Sequence, residues 1–337
     1  MNSERREFLK TLCAATAGLM LACGDKKTVK RDRLGELLPQ RILGRTGEAV
    51  TMLGVGGYHI GWTTEMDAQE TIEAALEGGI RFFDTAESYD DGRSESRYGR
   101  YLTPQYRDIV FLMTKTTATD AASVQRHLDE SLRRLNTDYL DLWQVHSLKD
   151  PNDVDNRIKK GVLEVFAKAR ETGKVRYIGF TGHQNPAAHQ RMLEKTSASD
   201  LFDTCQMPVN VLDSNIHSFI RSVTPMLQDR NIGLLAMKTL ADGRFFAVKN
   251  KLGEVQWETD TPVVPDRMSL QDALNFVWSL PVSVLITGAE NVQLIREKIG
   301  FARRFVEMSE TRREELIDKV ADLASEGRVE YYKRVES

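Results

Sequence analysis

Cysteine is scarce in this 337-residue chain: Cys13, Cys23 and Cys205 are the only three, and neither they nor the six histidines fall at zinc-finger or iron–sulfur spacings. No resident metal or iron–sulfur cluster is therefore expected. Basic runs are equally absent beyond pairs such as Lys26-Lys27 and Lys159-Lys160, and the formal net charge is −3, which argues against a nucleic-acid partner. Low-complexity tracts are missing too. What remains is an ordinary soluble globular composition, 41% hydrophobic and 28% charged, with 46 basic against 49 acidic side chains. Such a chain can bury a sizeable core without disulfides, as one large domain or two small ones.

The first 23 residues read differently. Arg5-Arg6 precedes Phe8-Leu9-Lys10, and Thr11 to Cys23 is uncharged and mostly apolar, a stretch too short to serve comfortably as a permanent membrane span. This resembles a twin-arginine export signal, which implies the twin-arginine machinery as a partner and a periplasmic or membrane-anchored destination. Leu21-Ala22-Cys23-Gly24 is similar to a lipoprotein box, so lipidation at Cys23 and cleavage elsewhere both stay open, and a lipid there is the one membrane contact expected. Residues 24–39 are charged with little apolar pattern and read as a tether to a folded body spanning 40–337.

Gln40 to Val50 has two strand-like halves around Gly44 and Gly47, the pattern of a hairpin. Eight short apolar runs follow: Thr51–Val55, Ile80–Phe83, Ile109–Met113, Tyr139–Val145, Val175–Gly179, Thr204–Gln206, Ile232–Met237 and Val284–Thr287. Amphipathic segments alternate with them, among them Ala68–Leu76, Ala122–Leu135, Gly161–Arg170, Asp272–Leu280 and Val292–Phe301. Eight repeats suit a closed parallel barrel, so the expected fold is α/β, a (β/α)8 TIM barrel with an N-terminal β-hairpin and an extra C-terminal helix from Ser309 to about Ser325. The rival is a doubly wound nucleotide-binding fold. Its one hint, Gly54-Val55-Gly56-Gly57, lacks the third glycine of the fingerprint.

In such a barrel the chemistry belongs where strands end on the C-terminal face. Asp84, Lys115 and His146 end the second, third and fourth runs, and Tyr89 lies five residues past Asp84. Singly, each has an ordinary structural explanation; together they suit proton donation. A phenol of pKa about 10 is a poor acid at neutral pH, and a neighbouring ammonium is expected to lower that value. Asp84 can hold Lys115, and His146 can donate a hydrogen bond to an oxygen on which charge grows. Hydride addition to a carbonyl needs these parts, with the hydride supplied by a cofactor.

Asp84-Thr85-Ala86-Glu87-Ser88-Tyr89, with Asp90 where a glycine is usual, and Ser131-Leu132-Arg133-Arg134-Leu135-Asn136-Thr137-Asp138-Tyr139-Leu140-Asp141-Leu142 running into His146, resemble two segments of the aldo-keto reductases. The resemblance extends from Gln40 to Ala302. It implies Tyr89, Asp84, Lys115 and His146 as a catalytic tetrad, a nicotinamide cofactor lying across the barrel mouth, and a small carbonyl or alcohol substrate. The family holds the carboxamide with a Ser-Asn pair and a Gln, which here read Thr181-Gly182 and Gln206, with His183 available as a substitute for the missing side chain. The resemblance places the pyrophosphate at Lys238, Leu240 and Gly243, and the adenosine end at Gly288, Glu297 and Lys298.

Leu294 stands where many NADP-using relatives carry arginine, and Lys298 where an adenine-contacting Asn is common. Lys298 or Arg296 can still meet a ribose phosphate, which modestly favours NADP(H) over NAD(H). The loop from Lys238 to Met268 carries Phe245, Phe246 and Trp257 and suits a flap, while Tyr58, His59 and Trp62 suit aromatic walls. Two other functions fit less of the sequence. One is an exported barrel that binds ligand without turnover; the other is a metal-dependent hydrolase using Asp84 and His146, which leaves Tyr89 and Lys115 without a role.

Overall fold

The computed structural model describes residues 29–334. The segment read as an export signal, including Arg5, Arg6 and Cys23, lies outside the described residues.

Eight parallel strands close into a barrel in chain order: β1 (Leu53–Gly56), β2 (Phe82–Asp84), β3 (Phe111–Thr116), β4 (Leu140–Val145), β5 (Val175–Thr181), β6 (Thr204–Pro208), β7 (Gly233–Met237) and β8 (Val284–Thr287), which pairs back onto β1. The expected TIM barrel is present. Closure removes the strand-order reversal on which a doubly wound fold binds nucleotide. Helices cover the outside, and many begin at a polar cap: Thr64, Asp120, Asp150, Asn185, Ser269 and Asn291 each accept a hydrogen bond from a backbone N–H of the first turn.

Side chains alternate across each strand, so one row faces the barrel axis and the other the helices. Phe82, Phe111, Met113, Leu142, Leu235, Val284 and Ile286 fill the interior, and Phe82 stacks on Phe111 at 5.0 Å between ring centroids. The outward row, with Phe83, Leu112, Trp143, Val145, Ile178 and Phe180, packs under the helices in the larger core. The hairpin, Gln40–Ile42 against Ala49–Thr51, closes the N-terminal end and adds Leu43 and Val50 to the interior cluster. Thr51 therefore belongs to the hairpin, and the first barrel strand starts at Leu53.

The tether is shorter than its composition suggested. Residues 31–36 form a small antiparallel pair, and the Arg81 guanidinium binds the Asp32 carboxylate through Nε at 2.6 Å and Nη2 at 2.9 Å. Leu38 is fully buried. Charged residues here serve a long-range ion pair, which local composition cannot distinguish from a solvated linker. At the other end, the extra helix spans Glu310–Asp318 and gives way to short turns before Ser325.

Candidate active site

Asp84 closes β2, two residues beyond the interior Phe82, so alternation turns its carboxyl inward; Lys115 follows Met113 in β3 by the same step. Lys115 is thus inside its strand rather than after it. Ladder pairing to Gln144 carries β3 past the apolar run on which the sequence reading stopped. His146 follows β4 directly. Tyr89 stands in the loop after β2, and the chain leaves it through Asp90, Asp91 and Gly92, at φ 53°, 52° and 81°, three successive left-handed residues. Left-handed backbone is glycine's natural ground, and Asp is among the residues that tolerate it, which explains how Asp90 fills a position where glycine is usual.

The four side chains meet. Lys115 Nζ lies 2.5 Å from Asp84 Oδ1 and donates to the Tyr89 hydroxyl at 3.0 Å and to the Thr85 carbonyl at 2.8 Å. The Tyr89 and His146 rings are 5.7 Å apart, nearly perpendicular. Burial raises the Asp84 pKa despite the nearby ammonium. Burial would lower that of Lys115, yet Asp84 and Tyr89 outweigh it and the net shift is upward. His146 is pushed well below the usual imidazole value by burial and by Lys115, so it is neutral at neutral pH. For Tyr89 burial dominates over the pull of Lys115 and the pKa rises, opposite to the direction expected from the ammonium alone.

The residues expected in the first loop form a short helix, Gly57–Trp62, on which Tyr58 stands edge-on to Tyr89 at 5.6 Å and His59 packs against Trp62 at 5.3 Å. The long seventh loop contains an antiparallel hairpin, Val248–Lys251 with Glu254–Glu258, whose Lys251 donates to the Tyr58 hydroxyl at 3.2 Å. Phe245 is buried in the core, and Arg244 is sandwiched between Trp257 and Tyr331.

The residues that the resemblance assigns to a dinucleotide divide into a pair left with unused polar groups and others already packed against neighbours. Thr181 ends β5, and Gln206, in the middle of β6 rather than at its end, is its register partner. Gln206 Oε1 is buried without a hydrogen-bond partner and the Thr181 hydroxyl faces only the Met237 sulfur at 3.9 Å, so an acceptor and a donor stand side by side unused. A carboxamide would satisfy both. Gly182 has no room for a side chain: a Cβ would stand 2.6 Å from the Leu148 carbonyl oxygen and 2.9 Å from His189. His183, half-buried beside Tyr332, has its pKa lowered to about 4 by burial and Lys238.

Farther round the mouth, a Cβ on Gly288 would overlap the His59 ring at 2.2 Å, so this glycine is required by close packing. Lys298 turns inward to the Gly288 carbonyl, and burial lowers its pKa to about 8. Glu297 is exposed, Leu294 packs against the core, and Arg296 points to solvent. Lys238 lies 3.6 Å from Asp242, while Leu240 and Gly243 line the same loop. Sequence reading missed Asp242. The Asp-Gly pair signals a turn, but nothing in it announces partners seven and eighty-nine residues away at Lys249 and Tyr331. Also missed was the buried cluster in which Lys333 meets Asp213 at 2.6 Å and Glu330 at 2.9 Å, fastening the C-terminal segment to the loop after β6. Among the described residues no three His, Cys, Asp or Glu side chains converge as metal ligands.

Known proteins share this fold. The chain is 25% identical over 299 residues to the oxidoreductase YqkF of Bacillus subtilis, covering 80% of this chain and 93% of that one. To the aldo-keto reductase YhdN of the same organism it is 32% identical over 215 residues, 59% of this chain and 61% of that one. Among solved structures, the aldo-keto reductase AKR11C1 of Bacillus halodurans superposes with a TM-score of 0.69 at 21% identity, covering 84% and 96% of the two chains. An aldo/keto reductase of Klebsiella pneumoniae in complex with NADP and acetate superposes with a TM-score of 0.65 at 22% identity, over 85% and 96%. With the family pattern matched over residues 52–278, which takes in β1 to β6, β7 and the whole tetrad, the chain belongs to the Aldo/keto reductase family.

Proposed function

We propose that the protein transfers hydride between NADP(H) and a small carbonyl or alcohol substrate, with Tyr89 as the proton donor. The observation that carries this reading is the chain of contacts from Asp84 through Lys115 to the Tyr89 hydroxyl, 2.5 and 3.0 Å long, at the mouth of the barrel. The nicotinamide, when bound, supplies the hydride, which no side chain can. Tyr89 gives its proton to the substrate oxygen, Lys115 stabilises the phenolate that this leaves, and Asp84 keeps Lys115 charged. His146, neutral at working pH, donates a hydrogen bond to the same oxygen. Thr181 and Gln206 would hold the carboxamide; Lys238, Leu240 and Gly243 the pyrophosphate; Gly288, Glu297 and Lys298 the adenosine end. The choice of NADP(H) is supported by the NADP-bound relative from Klebsiella.

Tyr89→Phe tests the assignment. Its turnover of NADPH with a carbonyl substrate is expected to fall by about two to four powers of ten, the range of general acid catalysis, while cofactor affinity measured by fluorescence stays close to wild type. Wild-type turnover in the pure variant would end the tetrad assignment.

We also propose export by the twin-arginine route to the periplasm, with or without a lipid on Cys23; the support is the Arg5-Arg6 pair ahead of an uncharged run. Replacing both arginines with lysine is expected to leave the protein in the cytoplasm on cell fractionation. Export of that variant would refute the route. Fatty-acid labelling lost on Cys23→Ala would establish lipidation separately.

A further inference from the structure

The loop leaving β7 carries a charged cluster that the tetrad does not use. Asp242 Oδ2 accepts from Lys249 Nζ at 2.8 Å and from the Tyr331 hydroxyl at 2.8 Å, while Oδ1 lies 3.6 Å from Lys238 Nζ. One carboxylate thus joins three segments: the end of β7, the hairpin and the C-terminal segment. The backbone beneath it is strained, since Lys238, Ala241 and Asp242 all have left-handed φ, at 53°, 46° and 58°. Against that backbone preference the loop is held by turn hydrogen bonds from the Ala241, Gly243 and Arg244 N–H groups to the Lys238, Leu240 and Ala241 carbonyls, together with the side-chain partners of Asp242.

Cations still outnumber anions around this loop. Two lysines share the Asp242 carboxylate, Arg244 lies against Tyr331, Lys251 rests on the Tyr58 and Trp62 rings, and Lys298 donates to the Gly288 carbonyl, with Glu290, which also acts on Lys249, and Glu297 as the nearby carboxylates. Burial would raise the Asp242 pKa, but Lys238 and Lys249 pull it down to about 2, so the carboxylate is charged at any working pH.

We infer that Asp242 is an internal counter-anion: in the cofactor-free protein it occupies Lys238 and Lys249, the two lysines that receive the dinucleotide's pyrophosphate, and so holds down the affinity of that site. The inference rests on the reading that the loop from Lys238 to Gly243 takes the pyrophosphate, and adds Lys249 to that site because it shares the Asp242 carboxylate with Lys238. A diphosphate carries more charge and more acceptor oxygens than one carboxylate, so on arrival it takes over both lysines. Asp242 is then left facing an anion and turns away, which loosens its hydrogen bond to Tyr331 and its hold on the hairpin. Affinity is the difference between the gain at the lysines and the cost of displacing Asp242.

The test is calorimetric titration of the purified full-length protein with inorganic pyrophosphate and, separately, with NADP⁺. Asp242→Asn keeps the side-chain volume and can still accept from Tyr331. It is expected to bind pyrophosphate about ten times more tightly than wild type at low salt, a gain that shrinks as salt screens the removed charge. Lys249→Gln is expected to bind it more weakly. Tyr331→Phe leaves both lysines in place and frees the carboxylate to turn, so it tightens binding by a smaller factor and serves as the second variant. If Asp242 were instead a latch closing the hairpin over bound ligand, Asp242→Asn and Lys249→Gln would both weaken binding. Equal or weaker pyrophosphate binding by Asp242→Asn overturns the inference. Tighter pyrophosphate binding with no NADP⁺ binding by any variant supports the counter-anion and overturns the cofactor reading.

Discussion

Tyr89 is subject to two opposed effects: burial favours the neutral phenol, and the Lys115 ammonium 3.0 Å away favours the phenolate. Burial wins in the resting site. The phenol therefore stays protonated across the neutral range, which is the state the proposed proton donor needs, and in the proposed reaction the ammonium would act mainly after the proton had left. The pH profile of carbonyl reduction follows from that direction. With cofactor saturating, kcat is expected to hold level through neutral pH and to fall only above about 10, the ordinary tyrosine value. Saturation matters because Lys298, drawn down to about 8 by burial, can enter through cofactor affinity. A basic limb between pH 7 and 8 under saturation would contradict a raised Tyr89 pKa.

Strand alternation and ladder pairing do the positioning at the scale of elements. Asp84, Lys115 and His146 come from three neighbouring strands, and because each side chain continues an inward row they converge without any local motif linking them. Sequence pattern located all three, yet it ended β3 too early: apolar periodicity stops at Met113, whereas pairing with β4 runs on through Thr116. The segment from Arg31 to Pro39 misled for a similar reason, since its charged text hides the Asp32 clamp on Arg81. Asp32→Ala leaves the Arg81 guanidinium buried with only the Leu76 and Ile80 carbonyls, and it is expected to cost about 2 kcal/mol in chemical denaturation. A change below about 0.5 kcal/mol, the range of an ordinary surface substitution, would return these residues to the role of tether.

Across the whole molecule, burial has removed most histidines from their usual titration. His59 is lowered to about 3, His183 and His189 to about 4, and His146 well below its ordinary value, with desolvation the largest cause each time. A group whose folded pKa is depressed gives up protons more readily than the unfolded chain does, so the unfolded state binds more protons as pH falls below about 6.5. The stability tied to neutral His189 is whole above that pH and is lost between about 6.5 and 4, amounting to about 3 kcal/mol at the acid end. Buried carboxylates with raised pKa, such as Asp84 and Glu95, act in the opposite sense in acid. The His189 share is therefore read as a difference: His189→Gln should lose less stability than wild type on acidification across that window. Parallel curves of Tm against pH would show that His189 carries no such linkage.

Periodicity along the chain was enough to determine the alternation of eight strands with helices, and position at or just past the end of an apolar run was enough to single out Asp84, Lys115 and His146, because both are short-range properties of the order of residues. Tyr89 could be found from its place on the same loop. The tertiary structure alone decided which way the Tyr89 pKa moves, why Gly182 can bear no side chain, where Lys298 turns, and that Asp242 gathers Lys249 and Tyr331. Each of these depends on desolvation, or on contact between segments far apart in the chain, and neither is written in local sequence.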